Sequence, residues 1–259
     1  MNYYPTLGLV LWAYMTLWFL ASLVKKRNDV ADVAWGLGFV LLAWTSFFLS
    51  FFSSGRWGVR GLVAGVLVSI WGLRLAWHIH ARHRGQPEDF RYMAWRREWG
   101  RWFYARSYAQ VYMLQGALLF VVALPVLGMN CRPGGGFGFL EVMGVCVWLF
   151  GFLFEAVGDA ELARFASDPN NRGKILQTGL WRYTRHPNYF GEVVQWWGIW
   201  LMAAAVPGGW FSIAGPLTIT VLILKVSGVP LLEKKMAGKP DFAEYKRRTN
   251  EFFPWIPKR

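Results

Sequence analysis

Residues 7–24 read LGLVLWAYMTLWFLASLV, and Lys25, Lys26 and Arg27 follow at once. The run carries no charged side chain and approaches the ~20 residues a helix needs to cross a ~30 Å hydrocarbon core. Lipid offers a backbone no hydrogen-bond partner, so such a segment must be helical. No Lys or Arg precedes it. A cleavable leader has its basic residues first; here they come last, which predicts an anchor with its N-terminus outside.

Working outward, further apolar runs occur at residues 33–52, 61–77, 108–127, 140–157, 193–206 and 210–224. Several are short and must borrow flanking Tyr, Trp or Arg. The expected fold is all-α: a polytopic integral membrane protein with about seven transmembrane helices. Composition agrees. Apolar residues make up 55% of the chain, with 17 Trp and 20 Phe, yet the formal net charge is +13. The two properties coexist only if apolar spans and basic loops alternate, which excludes a soluble helical protein.

Orientation follows from the loops. Those at 25–32, 80–107, 163–187 and 231–259 hold 23 Lys and Arg, and those at 54–60, 129–137 and 207–209 hold 3. The positive-inside rule then puts the N-terminus out and the C-terminus in the cytoplasm. The membrane is the bacterial inner membrane, or the endoplasmic reticulum if the chain is eukaryotic. Orientation accounts for the basic bias, so membrane lipids are expected as partners and nucleic acid is not. Cys131 and Cys146 have neither metal-ligand nor disulfide spacing, and no metal site is expected.

Charged groups inside a span cost about 2.5–3.5 kcal/mol each, so those present need a reason. Asp29 and Asp32 open the second span three residues apart, on one helical face, and either cap the helix or act in a site. Arg74 lies inside the third span with His78 one turn on. It either snorkels to the interface or pairs with a carboxylate such as Asp32. Glu155, Asp159 and Glu161 crowd the end of the fifth span. Glu155 and Asp159 repel at i, i+4 and sit at the wrong end of the helix dipole, which predicts an outside partner: a basic side chain, or a ligand's hydroxyls or amide. Glu192 and Gln195 open the sixth span, where Glu192 could also cap. The 80–107 loop mixes Arg with Trp, Tyr and Phe, as an interfacial helix or as a lid.

The densest motif is RGKILQTGLWRYTRHPNYFGEVVQWWG, residues 172–198. Arg172, Lys174, Arg182 and Arg185 are interleaved with Trp181 and Tyr183. Pro187 then sits where proline starts a helix. Arginines beside helix N-terminal amides form an anion site, and a phosphate-bearing cofactor suits it.

TGLWRYTRHPNYFGEVVQWWG at 178–198, VPLLEKKMAGKPDFAEYKRRTNEFFPWIP at 229–257, DVADVAWGLGFV at 29–40 and WGLRLAWHIHARHRGQPEDFRY at 71–92 together resemble the DUF1295 family of bacterial membrane proteins. That family is related to steroid 5-alpha-reductases and sterol C14 reductases. The resemblance implies an NADPH-dependent reductase of a carbon–carbon double bond, one conjugated to a ketone in the steroid reductases. It implies an apolar substrate drawn from the bilayer, a substrate-pocket half at 1–130 and a cofactor-binding half at 138–259 of one membrane domain. Asn188 and Glu192 match the family's N-x-x-G-E element at the nicotinamide end, and Asp159 matches its aspartate on the fifth span. Arg164, Arg172, Lys174 and Arg185 would hold phosphates, and Glu233, Tyr245 and Arg248 would close over the nucleotide. Glu155, Tyr183, His186 and Tyr189 complete the implied cofactor set. The Gln-Glu pair and the Tyr that polarise the ketone in steroid reductases have no counterpart here; Asp29, Asp32, Arg74 and His78 occupy the comparable regions as the catalytic candidates. Integral-membrane isoprenylcysteine and phospholipid methyltransferases share the RHP-x-Y element, so a methyltransferase using S-adenosylmethionine is the alternative. A non-catalytic lipid-binding relative is the third.

Overall fold

The computed structural model describes residues 3–258 and is all-helical, with 78% of residues in helices. The helices are α1 Tyr4–Lys25, α2 Val30–Ser54, α3 Val59–His83, α4 Phe90–Trp99, α5 Phe103–Arg106, α6 Leu114–Val122, α7 Leu124–Asn130, α8 Phe139–Ser167, α9 Pro187–Ala204, α10 Ala214–Val221, α11 Val229–Met236 and α12 Phe242–Arg248. Every expected span falls mainly on helix; the sixth, 193–206, runs two residues past the end of α9. Among the described residues, five helical stretches are long and apolar enough to cross a membrane: α1, α2, α3, α8 and Gly209–Met236. Phe90–Val122 with Leu124–Asn130 adds a sixth if the bent pair is one span. The count is therefore five or six where seven is expected. The stretch that falls out is α9, because Asn188, Glu192 and Gln195 make its first half polar.

Local chemistry sets the breaks. Pro5 starts α1, and Lys26 ends it in the left-handed region at φ 54°, with Arg27 N–H returning to Ser22 O. The 54° bend before α7 falls at Pro125, which lacks an N–H and crowds the preceding turn.

The chain divides into two compact units, Met1–Gly138 with Ala203–Ala214, and Phe139–Met202 with Gly215–Arg259. In the first, α1 buries a narrow stripe of Leu7, Leu11 and Met15 and leaves Leu9, Trp12, Leu17 and Leu20 exposed. That is the pattern of a helix with protein on one side and lipid on the other. α2 and α3 meet backbone to backbone: a Cβ on Gly36 would lie 2.6 Å from Gly72 O. In the second unit the device is repeated at heptad spacing. Gly144 and Gly151 of α8 oppose Gly198 and Gly191 of α9, each so near that a Cβ on the α8 glycine would lie 2.6 Å from the opposing carbonyl oxygen. Small residues of this kind let membrane helices approach closely. Here the approach brings the carboxylates of α8 against the polar start of α9.

Candidate functional site

The second unit holds the larger share of the expected site residues. Glu155 is buried on α8 and accepts from Gln195 Nε2 of α9 at 2.5 Å. One turn on, Asp159 Oδ1 accepts from Asn188 Nδ2 at 3.0 Å. Asn188 Oδ1 in turn accepts from Tyr189 N–H at 3.0 Å, which fixes the carboxamide in the first turn of α9. Glu161 Oε2 accepts from Leu180 N–H at 2.9 Å. The outside partners that crowding on α8 predicts are therefore amides of the 180–195 segment. Glu192 is buried beside this row, and Gln195 Oε1 is buried without a hydrogen-bond partner.

The turn before α9 is locked by the tail. Arg185 is buried; its Nε and Nη2 lie 2.7 Å and 2.5 Å from Glu233 Oε1, and its Nη1 donates to Thr249 O at 2.6 Å. Lys246 Nζ reaches the other oxygen of Glu233 at 3.1 Å. Tyr245 is buried, its hydroxyl donating to Trp181 O at 2.6 Å. Through these contacts Arg185, Glu233 and Tyr245 tie the tail to the 181–186 turn. Arg248 is exposed and pairs with Glu244 at 2.6 Å.

His186 is fully buried between these two networks. Its ring stacks on Tyr189, Nε2 lies 3.5 Å from Glu233 Oε1, and neither ring nitrogen makes a hydrogen bond. Burial pushes its pKa down to about 4 against the pull of the Glu233 carboxylate, so the imidazole is neutral at pH 7. Arg164, Arg172 and Lys174 are exposed cations, and Tyr183 is exposed beside them in the chain.

The catalytic candidates lie in the first unit, in a different setting. Asp29 accepts from Arg27 Nε and Nη2 at 3.0 Å and 2.7 Å, and from Asp89 N–H at 3.0 Å. Burial alone would raise its pKa; the Arg27 guanidinium and the amide overcome that and hold it below the usual carboxylate range. It makes no side-chain cap bond to α2. Asp32 Oδ2 accepts from Arg91 Nη2 and Oδ1 from the Tyr92 hydroxyl, both at 2.7 Å. Glu88 accepts from Asn28 N–H at 2.6 Å and pairs with Arg96 at 3.1 Å. The partner of Asp32 is thus Arg91, not Arg74. Arg74 and His78 are half-buried on α3. Both oxygens of Asp32 thus accept, one from a guanidinium and one from a phenol. Glu88, Asp89, Arg91 and Tyr92 were the residues sequence reasoning missed. Their signal was QPEDFRY at 86–92: proline and two acids just before a helix, with Asp89 capping Arg91 N–H.

A family model described as "Protein of unknown function (DUF1295)" matches residues 18–249. An uncharacterized protein of Schizosaccharomyces pombe is 23% identical over 96% of this chain and 76% of its own length. The 3-oxo-5-alpha-steroid 4-dehydrogenase 1 of Bos taurus is 34% identical over 70 residues, and that of Homo sapiens 32% over 71; each alignment spans 27% of this chain and 27% of the relative. About a quarter of each steroid enzyme is thus matched. No solved structure matches the chain.

Proposed function

The chain belongs to the DUF1295 family, and from that premise we propose that it is a membrane reductase using NADPH to saturate a carbon–carbon double bond, conjugated to a ketone, in an apolar lipid or steroid-like substrate taken from the bilayer. The observation that carries the reading is the amide–carboxylate row at the α8–α9 crossing, Asn188 on Asp159 and Gln195 on Glu155. The named relatives that reduce steroids support it by analogy.

The residues fit the cofactor. A nicotinamide carboxamide needs donors and acceptors at one place. The orphaned acceptor of Gln195 and the orphaned ring nitrogens of His186 offer both, with Asn188 and Glu192 next to them along the chain. Phosphates need cations in solvent reach, and Arg164, Arg172 and Lys174 are exposed. When bound, NADPH supplies the hydride. The protein's part is positional. Asp159 orients the Asn188 carboxamide, the helix crossing fixes both, and the Arg185–Glu233 clamp holds the turn from which α9 starts. Of the four residues considered for polarising the ketone, Asp29 and Asp32 act as acceptors.

The test is ligand binding by the detergent-purified protein. NADPH, NADH and S-adenosylmethionine are titrated in parallel, with thermal midpoint as the readout. Selective stabilisation by NADPH is expected, followed by loss of nicotinamide absorbance on adding an enone. Stabilisation by S-adenosylmethionine alone assigns a methyltransferase, and stabilisation by none assigns the lipid-binding alternative.

A further inference from the structure

The first unit carries a groove lined by none of the residues to which the reductase reading gives a role. It has a volume of about 640 Å³ and is lined by Phe19 and Leu23 of α1 with Tyr104, Ala105 and Tyr108. Its walls are carbon, and Tyr108 is held in place by its hydroxyl contact with Thr16 Oγ1 at 3.1 Å and by the Phe19 ring at 5.0 Å. Tyr108 belongs to a π-helical turn, Ser107–Met113, a local widening of the helix that recurs at binding sites.

The two segments that line the groove carry basic residues next to it in the chain. Lys25 and Lys26 follow Leu23 closely at the end of α1, and Arg101 and Arg106 flank Tyr104 and Ala105; all four cations are exposed. No Asp or Glu occurs in residues 16–26 or 99–108. Among the described residues, none of these four cations makes an ion pair. Arg101 lies 5.5 Å from the centroid of the Trp102 ring, and Arg106 5.9 Å from that of Trp99. Indoles and arginines arranged so are typical of the headgroup level of a membrane. By contrast, Arg27, Arg91 and Arg96 are all taken up by Asp29, Asp32 and Glu88.

We propose that this groove is a binding site for an anionic phospholipid, one acyl chain lying against Phe19, Leu23, Ala105 and Tyr108 and the phosphate-bearing headgroup meeting Lys25, Lys26, Arg101 and Arg106. The apolar slot accounts for the chain, and four unneutralised cations on the two segments that line it account for the sign of the head. A zwitterionic lipid matches only the first. The site is independent of the cofactor and stands whether or not the protein is a reductase.

The test uses the full chain in neutral detergent, titrated with dioleoylphosphatidylglycerol or dioleoylphosphatidylcholine. Lipid retained is read by native mass spectrometry and stabilisation by thermal midpoint. The wild-type protein is expected to retain phosphatidylglycerol preferentially. Lys25→Gln, Lys26→Gln and Arg106→Gln together reduce that preference by about fivefold for each cation removed. Ala105→Trp, at an exposed position, fills the groove and abolishes retention with the charges intact. Melting without added lipid shows that both variants fold. Equal retention of the two lipids by the wild-type protein, or a phosphatidylglycerol preference that survives both variants, overturns the proposal.

Discussion

Two carboxylate clusters are held in opposite ways. In the first unit Asp29, Asp32 and Glu88 are paired with guanidinium groups of Arg27, Arg91 and Arg96. In the second, Glu155 and Asp159 accept from the side-chain amides of Gln195 and Asn188, and His186, two residues before Asn188 in the chain, has both ring nitrogens without a hydrogen bond. The first cluster is neutralised charge for charge and fastens the 84–107 loop to the α1–α2 turn. The second meets uncharged side-chain amides. A crowd of acids at the end of a span is therefore not in itself a catalytic signal; the two clusters differ in the chemistry of the partners they take.

The comparison breaks most readily at the tail clamp. Arg185→Met strands Glu233, and removing one member of a buried ion pair costs about 3–5 kcal/mol. The thermal midpoint in detergent should fall sharply, and Arg185→Met with Glu233→Leu should recover most of it. A small loss in the single variant would show that Lys246 alone satisfies Glu233.

Next comes the amide-held row. Asn188→Ala is expected to lower turnover about 100- to 1000-fold, the scale for losing one orienting polar group in a site, with the melting temperature little changed. Full turnover in this variant would take the site away from the α8–α9 crossing.

The pH dependence of stability sharpens the picture of His186. Its folded pKa, about 4, lies below the ~6.5 of an unfolded histidine. The unfolded chain takes up the proton first, so stability is full above pH ~6.5 and declines as pH falls toward 4, by up to about 1.4 kcal/mol per pH unit. Glu233 and Arg185 face the ring and do not change charge in the upper part of that window. His186→Phe should flatten the decline; the same slope in the variant would assign the titration to another group.

The smallest effect belongs to the charge-paired cluster. Asp32→Asn weakens a partly buried pair with Arg91 while keeping one acceptor oxygen, and should cost about 1.5 kcal/mol of stability with turnover nearly unchanged. A large loss of turnover at constant stability would return Asp32 to the chemistry and erase the distinction between the two clusters.

Much of this was legible in the chain itself. Apolar runs determine helices wherever lipid denies the backbone other partners, so every expected span falls mainly on helix. The spacing of Glu155 and Asp159 also revealed that α8 needed partners from elsewhere. What the sequence could not give was their identity. Asn188 and Gln195 lie 29 and 40 residues away, and only the glycine-lined crossing of α8 and α9 brings them within reach. Likewise Asp32 and Arg91 are 59 residues apart. Which of several cations a carboxylate takes is a matter of distance in space, because Coulomb and hydrogen-bond energies depend on separation and not on position along the chain. Periodicity and composition therefore determined the helices, and tertiary packing decided which group each charge meets.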